Sequence, residues 1–277
     1  MHFVVCLKQV PDSSEVRIDP NTNTLMREGV PSIINPYDAH ALEEAIRLKE
    51  KVGGKVTIIS MGPPQAKEAL KKAMSFGADR AILLSDRAFA GSDSLATAYV
   101  LSRAIQKIME TEPVDLVLAG KEAIDGDTAQ TGPGIAARLN FTQLTYVIKV
   151  ANIDKDSITV HRKLETGREI VQAKLPALLT VEKELNEIRY ASLPNMMKAA
   201  AYEPEIWTSQ SLEFDPAQLG LKGSPTSVVR IFAPPARTGG DKIDGTKDPQ
   251  GAAATVVQKI FEQNIIQVSP EAKGGRR

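Results

Sequence analysis

What most limits the fold of this chain is a recurring order: a short apolar run, a break of Gly, Pro and small polar residues, then a stretch with helical spacing. The runs lie at residues 3–7, 55–60, 81–84, 114–119 and 176–181. They are apolar with little alternation, as strands buried on both faces are. Between them Leu42, Ala45, Ile46, Lys49 and Val52 recur at helical spacing before Gly53-Gly54. Residues 65–76 make a second helical stretch, and Tyr99, Ile105 and Ile108 mark a third. Strands alternating with helices predict an α/β fold: a mostly parallel, Rossmann-like sheet with helices on both faces.

Asn35 has the chemistry of an N-cap, Pro36 that of a first helical residue, and Asp38 suits the positive end of the helix they open. Residues 16–19 and 24–27 flank the turn signal at 20–23 and predict a small hairpin. Residues 145–150, 157–162 and 169–173 alternate as half-exposed strands and predict an antiparallel annex. Beyond about residue 200 the composition turns to Pro, Gly, Ser and isolated apolar residues, including Trp207. The expected division is an α/β domain over 1–205 and an extended arm over 206–277, which cannot make its own core and packs on another surface. Within the arm, Ala252, Thr255, Val256, Ile260 and Phe261 suggest a helix, and 273–277 a frayed tail.

The stretch after the run at 114–119 carries most of the functional signal. Residues 120–133 are rich in Gly and small hydroxylated side chains and lead into a helical segment at Ile135 and Ala136. Backbone N–H groups can crowd round an anion in such a loop, at the strand end where open α/β sheets bind ligands. Asp125 and Asp127 would repel a bare triphosphate but suit ribose or base donors, which favours a dinucleotide or an adenylate over ATP. The other reading is an ordinary polar loop with a capped helix. The connection at 85–97 is longer than a strand–helix turn needs, which points to a ligand edge or to a generous loop with an exposed Phe89.

Composition excludes several classes. With 34 basic and 34 acidic residues the chain has no net field to attract nucleic acid. Its single cysteine, Cys6, cannot form an internal disulfide and is either a small buried hydrophobe or a redox residue. His2, His40 and His161 show no metal-ligand spacing, so no metal site is predicted. No stretch reaches membrane-spanning length and the chain opens without a basic leader, which suggests a cytoplasmic protein with no membrane insertion. Neither a P-loop nor a Ser/His/Asp arrangement supports a nucleotide hydrolase.

Taken in order, Val5-Cys6-Leu7-Lys8-Gln9-Val10, Asn35-Pro36-Tyr37-Asp38, Met61-Gly62-Pro63, Gly77-Ala78-Asp79, the loop 120–132 and the segment 185–198 resemble the β-subunit of electron-transfer flavoproteins over nearly the whole chain. The resemblance implies an adenine-nucleotide-binding α/β fold and a heterodimer with an α-subunit that carries its own FAD. It implies nucleotide contacts from Cys6, Asn35, Pro36, Tyr37, Asp38 and Met61, and from Asp125, Gly126, Asp127, Thr128, Ala129, Gln130, Thr131, Gly132, Pro133, Gly134, Ile135 and Ala136. It also implies that residues 181–203 form a recognition loop for an acyl-CoA dehydrogenase-type partner. There Leu193, Met196 and Met197, beside Arg189 and Lys198, would make an apolar patch with a basic rim; the other reading places them in the core.

The 85–97 loop, the wording of the 125–133 cradle and Asn35-Pro36-Tyr37-Asp38 resemble electron-bifurcating members in particular. That implies a β-site FAD reduced by NADH, which sends one electron through the α-subunit FAD to the dehydrogenase and the other to ferredoxin or flavodoxin. Gly91, Asp93 and Thr97 would then lie along the flavin or NADH. The alternative is a non-bifurcating β-subunit in which AMP replaces the β-site FAD as a structural cofactor. In either case the protein supplies position and electrostatics rather than a catalytic side chain.

Overall fold

The computed structural model describes residues 1–12, 17–18, 25–26, 31–229 and 239–263. The chain opens with β1 (His2–Cys6) and β2 (Gln9–Pro11). Next come β3 (Arg17–Ile18) and β4 (Leu25–Met26), which pair antiparallel as the expected hairpin does, and its turn at 20–23 lies outside the described residues. β5 (Ser32–Ile34) pairs antiparallel with β2. The first apolar run therefore divides, its start entering the main sheet and its continuation making a separate ribbon.

α1 (Pro36–Val52) starts on a proline and stops at Gly53 and Gly54, with φ of 76° and 120°. A Cβ on Gly54 would lie 1.9 Å from the carbonyl oxygen of Met1, so only glycine lets the chain turn so tightly into β6 (Lys55–Met61). The order continues through α2 (Lys67–Met74), β7 (Arg80–Leu84), α3 (Ser94–Met109), β8 (Leu116–Gly120) and α4 (Thr131–Leu139). Asn140, left-handed at φ 55°, ends α4. The annex is β9 (Thr142–Ile153), β10 (Ser157–Lys163) and β11 (Arg168–Lys174), followed by β12 (Ala177–Val181), α5 (Leu193–Ala201), β13 (Glu205–Trp207) and α6 (Pro249–Glu262).

Among the described residues the main sheet has nine strands in the order β11-β10-β9-β12-β8-β1-β6-β7-β13. The pairs from β9 to β13 are parallel, and β10 and β11 add antiparallel at one edge. The two-residue alternation divides the strands between two cores. Phe3, Val5, Ala81, Leu83, Leu116 and Leu118 pack beneath α1, α2 and α5. Val4, Cys6, Ile82, Leu84, Val117 and Ala119 pack beneath α3 and α4. Each fully buried Leu, Ile or Phe contributes about 1.5–3 kcal/mol relative to exposure.

The expected boundary at 205/206 does not hold, because the first compact unit runs from Met1 to Phe232 and the second from Ala233 to Arg277. β13 extends the sheet beside β7, where Arg80 forks onto Glu205 at 2.6 and 2.8 Å and lies over the Trp207 ring. Phe214 meets Phe89 and Tyr99 edge-on, and Leu212 and Leu219 are buried with them. Phe89, exposed in the generous-loop alternative, is only 4% exposed because this segment covers it. In the second unit Asp248 caps α6 through Gly251 N–H, and Lys259 pairs with Asp241. No described helix is long and apolar enough to cross a membrane. The tail at 273–277 lies outside the described residues.

Candidate functional site

From β1 the chain builds outward through β6 to β7, then crosses back to β8 on the other side of β1. Loops leaving the carboxyl ends of β1 and β8 therefore diverge and leave a crevice. A cavity of about 390 Å³ lies there, walled by the ends of β1, β6 and β8, the starts of α1, α3 and α4, and Thr226.

The floor is tied by two side chains from the start of α1. Asp38 accepts the N–H of Lys8 at 2.7 Å and that of Gly120 at 2.9 Å, joining the ends of β1 and β8. Burial raises its carboxyl to about 7, although these hydrogen bonds and Lys8 oppose the rise. Asn35 occupies the N-cap position without capping the helix. Its amide instead donates to the Glu122 carbonyl at 2.8 Å and accepts Ile124 N–H at 3.2 Å, which clamps the loop after β8. Lys8 reaches over the rim to Asp125 at 2.6 Å. Burial holds the Cys6 thiol far above its ordinary range, so at neutral pH it is an uncharged wall residue.

The loop itself carries Asp127 and Ala129 at φ 48° and 52°, with right-handed Gln130 after Ala129. The Asp127 N–H is taken by the Ala123 carbonyl at 2.9 Å, whereas left-handed Ala129 followed by right-handed Gln130 turns the N–H groups after it toward one side, and α4 begins at the next residue. The first-turn N–H groups of Thr131 and Gly132 have no acceptor within their helix and line the cavity. Such donors, with an open site at Gly126, fit the phosphate of a nucleotide, and Asp127 suits its hydroxyl or amino donors. Opposite stands α3, whose N-cap Asp93 accepts from Leu95 and Ala96 N–H at 3.0 and 3.1 Å. Burial raises the Asp93 carboxyl, but hydrogen bonds from Ala96, Thr226 and Leu95 outweigh it and hold it below the usual range.

Of the expected nucleotide residues, Cys6, Asn35, Asp38, Met61, Asp93, Thr97, Gly126, Asp127, Thr128, Ala129, Thr131, Gly132 and Ile135 line this cavity. Pro36, Tyr37, Gly91, Asp125, Gln130, Pro133, Gly134 and Ala136 do not. Tyr37 lies beneath the ammonium groups of Lys121 and Lys183, Asp125 is held by Lys8, and Ala136 is buried in the α4 core. Gly91 lies against Leu221, and Gly134 lets α4 approach Ala98. Lys121 and Glu122, within the expected 120–133 loop, and Ser92 and Ser94, within the 85–97 loop, line the cavity too, whereas sequence reasoning singled out no ligand role for Leu7, Lys8, Leu101 or Thr226. Lys8 lay inside a recognised motif, whereas Thr226 gave no local signal.

The segment after β12 carries the expected partner residues, and it includes a helix rather than being loop throughout. Leu193 and Met197 at the head of α5 are 66% and 68% exposed, Met196 and Lys198 are exposed, and Tyr190 is 99% exposed, which rules out the core reading. Arg189 is not a free rim charge. It bridges Glu43 at 2.9 Å and Glu50 at 2.5 Å, and these carboxylates hold its guanidinium firmly protonated. A second cavity, of about 500 Å³, lies between α1, α5 and the turn that enters β7, away from the carboxyl ends of the strands, and its Lys49, Asp79, Glu50 and Arg189 already pair with one another.

The electron transfer flavoprotein domain model matches residues 22–212. Protein FixA of Azotobacter vinelandii is 51% identical over 269 residues, covering 95% of this chain and 96% of the relative. The electron transfer flavoprotein subunit beta of Clostridium acetobutylicum is 51% identical over 266 residues, covering 96% and 100%. The caffeyl-CoA reductase-Etf complex subunit CarD of Acetobacterium woodii is 49% identical over 267 residues, also covering 96% and 100%. With a sheet-mouth cavity suited to a nucleotide and matches spanning almost its full length, the chain belongs to the electron transfer flavoprotein family, on its β-subunit side, a place that implies an α-subunit partner.

Proposed function

We propose that the chain is the β-subunit of an electron-bifurcating flavoprotein and that its sheet-mouth cavity holds FAD. The observation that carries this reading is the continuity of the cavity. It runs from the N–H-rich loop after β8 across to the start of α3 and Thr226, so an adenylate cradle on one side faces a second polar wall on the other. Bound there, FAD supplies two-electron exchange with NADH and one-electron exchange with separate carriers.

The chain's own residues bind and orient. The N–H groups of Thr128, Ala129, Thr131 and Gly132 would receive the pyrophosphate, Asp127 would take ribose or base donors, and Asn35 and Asp38 fix the loop that carries those groups. Cys6, Met61, Leu101 and Ile135 give the cavity an apolar lining that limits water. Leu193, Met196 and Met197, with Lys198 beside them, would dock an acyl-CoA dehydrogenase-type enzyme as the acceptor for the one electron that an α-subunit FAD would relay. Ferredoxin or flavodoxin takes the other, and the complex works in the cytoplasm. Similarity to a subunit named for a caffeyl-CoA reductase-Etf complex supports a CoA-ester enzyme as the partner.

The test is to purify the αβ complex, extract its cofactors and follow NADH oxidation. Two FAD per heterodimer, with NADH oxidised at the expense of the two protein acceptors only when both are present, is the expected result. One FAD and one AMP, with no NADH oxidation, overturns the proposal in favour of an adapter subunit.

A further inference from the structure

Thr226 stands near the end of the first unit's described residues, in a segment with no helical or strand periodicity, yet it forms part of the cavity wall. We propose that Thr226 is a residue of the nucleotide site and that Asp93 is its positioning residue. The inference rests on the cavity holding a nucleotide and goes further by adding a hydroxyl to its ligand set. The two oxygens of Asp93 do different work. Oδ1 caps α3 through Leu95 and Ala96 N–H. Oδ2 accepts the Thr226 N–H at 3.1 Å and its hydroxyl at 2.9 Å.

Neighbouring residues hold the same crossing. Asp93 N–H donates to Ser224 Oγ at 2.8 Å, and that hydroxyl donates to the Gly220 carbonyl at 2.7 Å. Leu221 lies so close to Gly91 that a Cβ there would sit 2.6 Å from its Cγ. Gly91 is also left-handed, at φ 73°, so the strap is seated where only glycine allows it.

This geometry selects the ligand chemistry. With its hydroxyl proton taken by Asp93, Thr226 can only accept a hydrogen bond from a ligand. It therefore matches a ribose hydroxyl or a ring N–H rather than a phosphate oxygen, and it faces a wall whose N–H groups are suited to the phosphate. A nucleotide is thereby oriented with its phosphate toward α4 and a donor toward α3.

The test uses the αβ complex with AMP and FAD as probes. Thr226→Val removes the hydroxyl at nearly constant size, Thr226→Ser keeps it, and Asp93→Asn retains a capping oxygen while replacing the acceptor for Thr226 with an amide donor. Nucleotide dissociation is expected to speed up about tenfold in Thr226→Val and Asp93→Asn and to stay within about twofold of wild type in Thr226→Ser. Exchange of the Thr226 amide hydrogen should accelerate in Asp93→Asn, reporting the broken latch independently of the ligand. Wild-type retention in Thr226→Val, or loss in Thr226→Ser as large as in Thr226→Val, overturns the assignment. A wild-type complex that binds neither probe overturns the nucleotide reading itself, before any variant is compared.

Discussion

Asp38 and Gly120 join the two strand ends on either side of the cavity: the Asp38 Oδ1 atom accepts the Gly120 N–H at 2.9 Å while Oδ2 holds Lys8 N–H at 2.7 Å. Burial raises this carboxyl to about 7, whereas in the unfolded chain it ionises near ~3.9. Between those values the folded chain keeps a proton that the unfolded chain releases. The stability this group contributes is complete below the lower value and is lost as pH rises through the upper one. Relative to Asp38→Asn, wild type should lose at most about 1.4 kcal/mol per pH unit across that window. Denaturant melts of both proteins at pH 5 to 8 check this, and a difference that is flat or grows with pH defeats it.

Gly120 is confined by the same contact. A Cβ there would sit 2.4 Å from Asp38 Oδ1 and 2.5 Å from Tyr37 Cβ, whereas one on Gly126 would meet nothing within 4 Å. Gly120→Ala should cost about 1–3 kcal/mol through overpacking and lower the nucleotide content of the purified complex. Gly126→Ala should do neither. Thermal melts and cofactor extraction on the two variants make the comparison, and equal behaviour would mean that the floor is not rigid at Gly120.

Arg189 and Glu43 are separated by 146 residues, and Glu43 is 1% exposed on α1. Arg47 also pairs with Glu43, so removing Arg189 weakens the compensation of a buried charge without abolishing it. Arg189→Met is expected to destabilise by about 1–3 kcal/mol and to speed amide exchange from residue 187 into α5. Arg189→Lys, which cannot fork onto two carboxylates, should fall between the two. Melting curves with hydrogen exchange measure both effects, and exchange confined to distant strands would separate Arg189 from the seating of α5.

The strands and helices that carry the site were legible because periodicity is local. The runs that became β1, β6, β7, β8 and β12 are buried, and the Gly-rich loop after β8 is the cavity wall. What stayed hidden depends on distance along the chain. Asn35 has the composition of an N-cap, but the loop after β8 offers its amide two better-placed partners. Trp207, Leu212, Phe214 and Leu219 have no period, because each fills a separate gap over α3 and β7. Thr226 is held at the cavity by Asp93, and no spacing rule links the two. Arg189 looked like a free charge because its carboxylates lie on α1.

The exposed head of α5 separates stability from docking. Leu193 is 66% exposed and opens the helix after Ser192, whose hydroxyl accepts Asn195 N–H, so the apolar side chain is presented by a capped turn. Truncating it removes little buried area. Leu193→Ala should change folding stability by less than about 0.5 kcal/mol. If the side chain is the anchor that enters a pocket on the dehydrogenase, its loss should raise the KM for that partner about tenfold while leaving cofactor content and NADH oxidation with an artificial acceptor intact. Met197→Ala on the same face should act in the same direction and less strongly, whereas Leu221→Ala, equally exposed but on the strap, should leave the partner KM unchanged. Steady-state electron transfer to the purified dehydrogenase, run beside melting curves, reads these apart. An unchanged KM in Leu193→Ala would move the docking surface away from α5.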